Sequence, residues 1–406
     1  MKNRKNNTYI GDAKVSDLTD RAGKFHFEGK YAEAEDIYRM LDTFAQTGPE
    51  ELYLYGDCLF ENRKFREAEL VFRRCIIIKP SWADAHCFLG NIFYAMGRLD
   101  DAEEAFRGAL KAEPSSRLAC NNIGNVLRDK GELETAIKFY RKALEADPEF
   151  ADGYYNLANA LRESGNNDEA LRLYEKCLEF DPANSSAFHL HAALCGKATE
   201  KAPDRYVEEL FDEYSQNFDT ELAETLEYST PSKLYEALTR SFSSRTFDNA
   251  ADLGCGTGLS GEALRPLCKK MSGVDLSAGM LEKASLKNIY DSLHKAAINE
   301  FLESHDNEFD LLAAADSLIY SGNLRDFFRY SRSALRKGGV SAFSLELSDG
   351  ADYELGESGR YRHSPEYIEK LAEEFSFDIT ASEKTKLRKE FGSWVEGVIC
   401  ILLCRI

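Results

Sequence analysis

The run Asp252-Leu253-Gly254-Cys255-Gly256-Thr257-Gly258 places three glycines in seven residues. Small apolar residues, Ala250 and Ala251, precede it, and Leu259 to Cys268 behind it suits a helix. The order is strand, tight glycine turn, helix N-terminus. A ligand reaches a backbone closely only where no Cβ intrudes, and glycine alone takes the positive φ such a turn needs without steric cost. Free N–H groups at the start of the next helix favour an anionic group. The glycines fall at 254, 256 and 258, and position 259 is Leu, so the spacing departs from the dinucleotide fingerprint G-x-G-x-x-G. The next strand, Met271 to Val274, ends on Asp275. An acid at the carboxyl end of a second strand is placed to accept both ribose hydroxyls of a nucleoside lying across the switch point.

Together with Gly273-Val274-Asp275-Leu276-Ser277, this run resembles the first two motifs of the class I S-adenosylmethionine-dependent methyltransferases. Phe309-Asp310-Leu311-Leu312 to Ala315-Asp316-Ser317-Leu318-Ile319-Tyr320 resembles their fourth-strand motif, whose following loop lies beside the transferred methyl. The resemblance covers residues 206–406. It implies a Rossmann-like α/β domain on a seven-stranded, mainly parallel sheet, with S-adenosyl-L-methionine as cofactor and no metal. The implied cofactor contacts are Asp252, Gly254, Gly256, Gly258, Asp275, Leu276, Met280 and Ala315. Many relatives carry an acid after the short third strand, to hold the adenine amine. This chain has Ala296-Ala297-Ile298-Asn299 there, and Asn299 offers an amide oxygen instead.

At 406 residues the chain is long enough for two or three domains. With 43% hydrophobic and 30% charged residues it reads as globular protein. The longest apolar run, Val398 to Cys404, falls far short of the ~20 residues that span a bilayer. No apolar segment follows the charges of Met1 to Asn7, so no secretory signal is expected. A net charge of −19 argues against a dedicated nucleic-acid binder, which needs clustered Lys and Arg. Ten cysteines without disulfide or zinc spacing point to reduced thiols and a cytoplasmic location.

Upstream, from Val15, a period of 34 residues runs without insertion. Ala34, Ala68, Ala102, Ala136 and Ala170 recur at that interval, as do Tyr38, Phe72, Phe106, Tyr140 and Tyr174. Gly56, Gly90 and Gly124 mark a small-residue column. Gly29, Gly97, Gly131 and Gly165 mark a turn, with Arg63 the exception. Pro80, Pro114, Pro148 and Pro182 end successive units. The small residues let paired helices approach, and the aromatic is expected to fill the space between neighbouring pairs. The pattern resembles the tetratricopeptide repeat, which implies an all-α solenoid with a groove. Asn91, Asn125 and Asn159 form one column along it, with Asn122 and Asn156 three residues earlier in two units. An amide ladder can bind the backbone of an extended peptide, or it can tie the helices together.

The expected organisation is a frayed segment 1–14, a solenoid 15–196 of five repeats plus a capping helix, a linker 197–205, and a methyltransferase domain 206–406. An amphipathic segment from Tyr206 resembles the N-terminal flap of bacterial methyltransferases that also carry these repeats; there a tyrosine closes over the cofactor, and Tyr214 is the candidate, with core packing the rival role. Three residues are candidates on the acceptor side. Asp316 is either a general base or an orienting group, and Tyr320 follows it. His363 lies in Gly359–Ser364, a segment read as a loop between strand and helix, where it is either a base or a neighbour of a capping Ser364. The functional reading is a methyltransferase whose repeats recruit a protein or peptide. Two others stay open: a small-molecule O- or N-methyltransferase with repeats used for assembly, and a non-catalytic scaffold.

Overall fold

The computed structural model describes residues 12–43, 47–214, 228–243, 245–390 and 393–405. The chain divides into two compact units, Met1–Pro182 and Ala183–Ile406.

The first unit is helical. Among the described residues it contains α1 (Asp12–Phe27), α2 (Tyr31–Thr43), α3 (Pro49–Glu61), α4 (Phe65–Ile78), α5 (Ala83–Ala95), α6 (Leu99–Ala112), α7 (Arg117–Asp129), α8 (Leu133–Ala146), α9 (Ala151–Glu163) and α10 (Asn167–Phe180). Each repeat supplies two helices, and each helix packs on the next. The glycine column is small because the aromatic column occupies its space. A side chain at Gly56, Gly90 or Gly124 would run into the ring of Phe72, Phe106 or Tyr140. The ring therefore fills the inside of its own pair and also reaches the neighbouring pair, where Phe72 stacks on Phe88 of α5 and Tyr38 lies against Tyr55 of α3. The turn column is left-handed at every unit, and Arg63 accepts a φ of 57° where the others use glycine.

The second unit begins with α11 (Ser185–Leu194) and α12 (Asp204–Tyr214), followed by the helix Thr230–Ser241. Strands β1 (Ala250–Leu253), β2 (Met271–Asp275), β3 (Ser292–Lys295), β4 (Phe309–Ala314) and β5 (Leu335–Leu347) pair in the parallel order β3-β2-β1-β4-β5. A hairpin of β6 (Tyr353–Leu355) and β7 (Tyr361–His363) joins the end of β5. The last strands, β8 (Phe377–Glu390) and β9 (Ser393–Cys404), are antiparallel to each other, and β9 is antiparallel to β5. The seven expected strands are all present. The hairpin raises the sheet to nine strands among the described residues, and it converts part of the expected loop Gly359–Ser364 into β7.

From Leu311 to Ala314, β4 is apolar without a break because both faces are covered. Leu312 and Ala314 join a core with Phe327, Phe328, Ile368 and Leu371, while Leu311 and Ala313 join another with Leu234, Leu238 and Leu264. The strand order reverses between β1 and β4, so the residues that leave the carboxyl ends of β1, β2 and β4 converge on one crevice.

The division between units corrects the expected linker. The helix meant to cap the repeats, α11, belongs to the second unit. His189 bonds through Nε2 to Gly359 O (2.8 Å), its ring packs on Tyr206, and Ser186 Oγ donates to Glu209 (3.0 Å). The segment 197–205 is also held. Ala202 N–H donates to Tyr320 O (2.9 Å), and Gly322 and Asn323 N–H donate to Glu200 O (2.9 and 2.7 Å). A short polar composition reads as a linker, yet here its backbone groups are satisfied by the loop after β4.

Candidate functional site

The turn after β1 has the backbone that its glycines predict. Gly254, Gly256 and Gly258 take φ of 71°, 53° and 95°. Gly254 is required twice over, since any side chain there would strike Ser317. Gly254 and Cys255 N–H both donate to Val274 O (2.8 and 2.9 Å), which sets the turn beside the end of β2. Asp275 closes the contact: Gly256 N–H donates to its Oδ2 and Ser277 N–H to its Oδ1, each at 2.9 Å. Burial lifts its carboxyl above the ordinary carboxylate range, against those donors. These backbone donors leave the carboxylate with lone pairs for further hydroxyl donors.

Asp252 lies beneath the turn, fully buried. Ser260 Oγ and Tyr290 OH donate to its Oδ2, each at 2.7 Å. Its Oδ1 is buried without a hydrogen-bond partner among the described residues. Burial pushes its pKa up to about 6. Ser277 caps the helix Ala278–Leu286 by accepting from Met280 N–H (3.0 Å); Met280 is buried and Leu276 half-buried. Asp212 on α12 takes a share in this corner by accepting from Ser277 Oγ and from Gly279 N–H (3.2 Å). Asn299 sits in the first turn of the helix Ile298–Glu303, half-buried. The side chain of Tyr214 lies outside the described residues.

On the acceptor side, Ala315 is buried at the end of β4 and Asp316 follows with a left-handed φ of 52°. The Asp316 side chain is heavily engaged. Ser344 Oγ donates to Oδ1 (2.6 Å), Thr230 Oγ1 to Oδ2 (3.2 Å), and Arg388 Nη1 to Oδ2 (3.4 Å). Arg388, on β8, also pairs with Glu346 at the end of β5, so one buried guanidinium ties three strand ends together. Tyr320 is buried with its OH accepting from Arg360 Nε (3.5 Å) and its ring against the edge of Phe211. His363 is buried in β7, with Nε2 2.9 Å from Ser321 O and 3.0 Å from Gly322 O. Two carbonyl partners require the hydrogen on Nε2, and burial lowers its pKa to about 4. The ring is therefore neutral and works as a buckle on the loop after β4. Ser364 is the cap that the sequence offered, accepting from Tyr367 N–H (3.2 Å).

The structure thus brings Asp252, the three glycines, Asp275 and Met280 into one corner, and Asp316 and Tyr320 into the loop beside it. Sequence reasoning missed Tyr290, Asp212, Arg388, Glu346 and Tyr228. The Tyr228 phenol lies close to Asp252, Asp316 and Arg388, and burial holds its pKa well above the ordinary value. A residue shared by both halves of the site has no local signature in the sequence.

In the repeat unit the asparagine columns are engaged internally. Tyr140 OH donates to Asn125 Oδ1 (2.8 Å) and Tyr174 OH to Asn159 Oδ1. Where the aromatic is Phe106, the oxygen of Asn91 is taken by Asn122 Nδ2 of the next repeat (3.2 Å), and Asn156 Nδ2 reaches Asn121 Oδ1 (3.0 Å).

Strand order, a three-glycine turn after the first strand and an acid closing the second are the features of a Rossmann-like α/β domain. A family model described as "Methyltransferase domain" matches residues 251–343. Models described as "Tetratricopeptide repeat" match 83–116 and 151–184, and one described as "TPR repeat" matches 124–161. The chain carries tetratricopeptide repeats followed by a methyltransferase domain. No curated protein matches it significantly. Similar solved structures include a MamA fragment from Desulfovibrio magneticus RS-1, 20% identical, covering 43% of this chain and 99% of that one with a TM-score of 0.39. A thermophilic TPR protein of Thermus thermophilus is 20% identical, covering 45% and 98% with a TM-score of 0.38.

Proposed function

We propose that this chain is an S-adenosylmethionine-dependent methyltransferase whose repeat unit recruits a protein or peptide partner or substrate. The observation that carries the reading is the joined corner of Gly254, Gly256, Gly258 and Asp275. The residues fit the cofactor: Asp275 keeps lone pairs for ribose hydroxyls, and Asp252 keeps a buried oxygen that lacks a donor. Asn299 is the group proposed for the adenine amine, and Leu276, Met280 and Ala315 the apolar lining. When bound, the cofactor supplies an electrophilic methyl group on a sulfonium.

The chain's own share is binding, orientation and exclusion of water. Asp316 anchors the acceptor loop, its oxygens accepting from Ser344, Thr230 and Arg388. His363, neutral and bonded to two carbonyls, fixes the same loop from β7. Tyr320, beside Arg360, is the hydroxyl of that loop best suited to meet an acceptor. An acceptor that is already nucleophilic fits such a site better than one that needs a strong base. Ten cysteines without disulfide spacing support a reducing, cytoplasmic setting.

Calorimetry with S-adenosylhomocysteine tests the reading. The intact chain should bind it, and Asp275→Ala should lose about 2–3 kcal/mol of affinity, the worth of hydrogen bonds to a charged group. Equal affinity in the variant removes Asp275 from the cofactor site. No binding to either protein leaves the scaffold reading.

A further inference from the structure

Asp252 is a buried carboxylate whose donors all reach one oxygen. Ser260 and Tyr290 donate to Oδ2, while Oδ1 is buried with no partner among the described residues. Among the described residues, the ionisable groups around it are Cys255 in the turn, Cys268 ahead of β2, Asp275 at the end of β2, Tyr228 and Tyr290. None of these is a cation. A carboxylate in such surroundings gains most from a ligand that brings positive charge and an N–H donor.

Tyr290 is built into the turn from three sides. A side chain at Gly261, in the helix Leu259–Leu264, would strike its hydroxyl end. One at Gly258 would meet its ring at 3.2 Å, and one at Gly273, in β2, at 3.1 Å. Gly261 leaves room for this phenol outright, Gly258 shares that room with Ile289 and Gly273 shares it with Leu293 and Cys255, and the phenol ends on Asp252.

We propose that Tyr290 is a positioning residue of the cofactor turn: by donating to Asp252 Oδ2 beside Ser260, it keeps Asp252 ionised and leaves Oδ1 for the ammonium of a bound amino-acid-bearing nucleoside. The proposal rests on the cofactor reading above. Burial raises the Asp252 carboxyl to about 6, and the two hydroxyl donors oppose that rise. Removing either donor raises it further. More of Asp252 is then protonated at neutral pH, and a ligand with an ammonium loses its counter-charge. A ligand without one is unaffected.

The test is calorimetry on the full chain between pH 5.5 and 8 with two probes. S-adenosylhomocysteine carries the ammonium, and 5′-methylthioadenosine keeps the nucleoside but lacks the amino-acid part. Wild-type affinity for the first should fall as pH drops through about 6. In Tyr290→Phe that fall should move to higher pH, leaving about tenfold weaker binding at pH 7. Affinity for methylthioadenosine should be equal in both proteins at every pH, any pH dependence through Asp275 being common to both. An S-adenosylhomocysteine profile that matches wild type overturns the proposal, as does an equal loss for both probes, which marks a purely structural role. Should Tyr290→Phe fail to fold, Ser260→Ala removes the other donor and must give the same upward shift; an unmoved profile overturns the proposal equally. If the wild-type chain binds neither probe, the cofactor reading itself falls.

Discussion

Tyr38, Tyr140 and Tyr174 hold equivalent places in the 34-residue period, yet their hydroxyls differ in fate. Tyr140 and Tyr174 donate to Asn125 and Asn159, fifteen residues earlier. The matching position for Tyr38 is Gly23, and the Tyr38 hydroxyl is buried without a partner among the described residues. A buried donor that bonds an otherwise orphaned amide oxygen contributes more than one with no acceptor. Tyr140→Phe and Tyr174→Phe should each cost about 1–2 kcal/mol in denaturant unfolding, and Tyr38→Phe should cost nothing or stabilise slightly. Equal losses at all three positions would contradict the assignment. The asparagine column was visible in the sequence with two roles open. All three asparagine oxygens are engaged within the repeats, those of Asn125 and Asn159 by a tyrosine hydroxyl and that of Asn91, where the aromatic is Phe106, by Asn122. The glycine turn and Asp275 were legible because backbone sterics and a strand-end acid are local requirements. The roles of Asp316 and His363 were not, since each depends on partners far along the chain: Arg388 from β8 for one, the carbonyls of Ser321 and Gly322 for the other.

At the scale of elements, the β6–β7 hairpin is what the sequence concealed. Strands of three residues leave no periodicity to read, and Gly359 to Ser364 looks like loop chemistry. The hairpin sets His363 under the loop after β4, between Tyr353 and Tyr367, where burial outweighs its two backbone acceptors and lowers its pKa to about 4. The unfolded chain binds that proton near pH 6.5. A depressed histidine therefore contributes fully above pH 6.5, and the contribution is lost as pH falls toward 4. Against a non-titrating His363→Gln, the wild-type advantage in unfolding free energy should shrink by about 3 kcal/mol between pH 7 and pH 4. Asp252 runs the other way, its raised carboxyl favouring the folded state at low pH, so the difference between the two proteins is the quantity to follow and not the wild-type curve alone. A difference constant with pH would mean that His363 is charged or exposed in the folded state.

For the whole molecule, the division after Pro182 changes what the two halves are expected to do when separated. Composition pointed to 197–205 as the linker, but Glu200 and Ala202 bond to the loop that holds Tyr320, and His189 on α11 bonds to Gly359. A fragment beginning at Ala183 should fold and bind S-adenosylhomocysteine as the full chain does. One beginning at Asp204 loses both attachments and should be less stable by roughly 3–5 kcal/mol, with its acceptor loop released. Limited proteolysis should accordingly cut at the exposed residues Pro182 and Ala183 before it cuts within 197–205. The longer fragment then decides what the repeats are for. Tethering an acceptor through the repeats raises its concentration at the site without any new contact there. Removal of residues 1–182 should therefore lower kcat/KM for a protein acceptor steeply while cofactor affinity stays constant. The acceptor for this assay is the product labelled when the full chain and a radiolabelled methyl donor are incubated with lysate. If the labelled product is a small molecule and the 183–406 fragment keeps its full kcat/KM, the repeats serve assembly and the recruitment reading is lost.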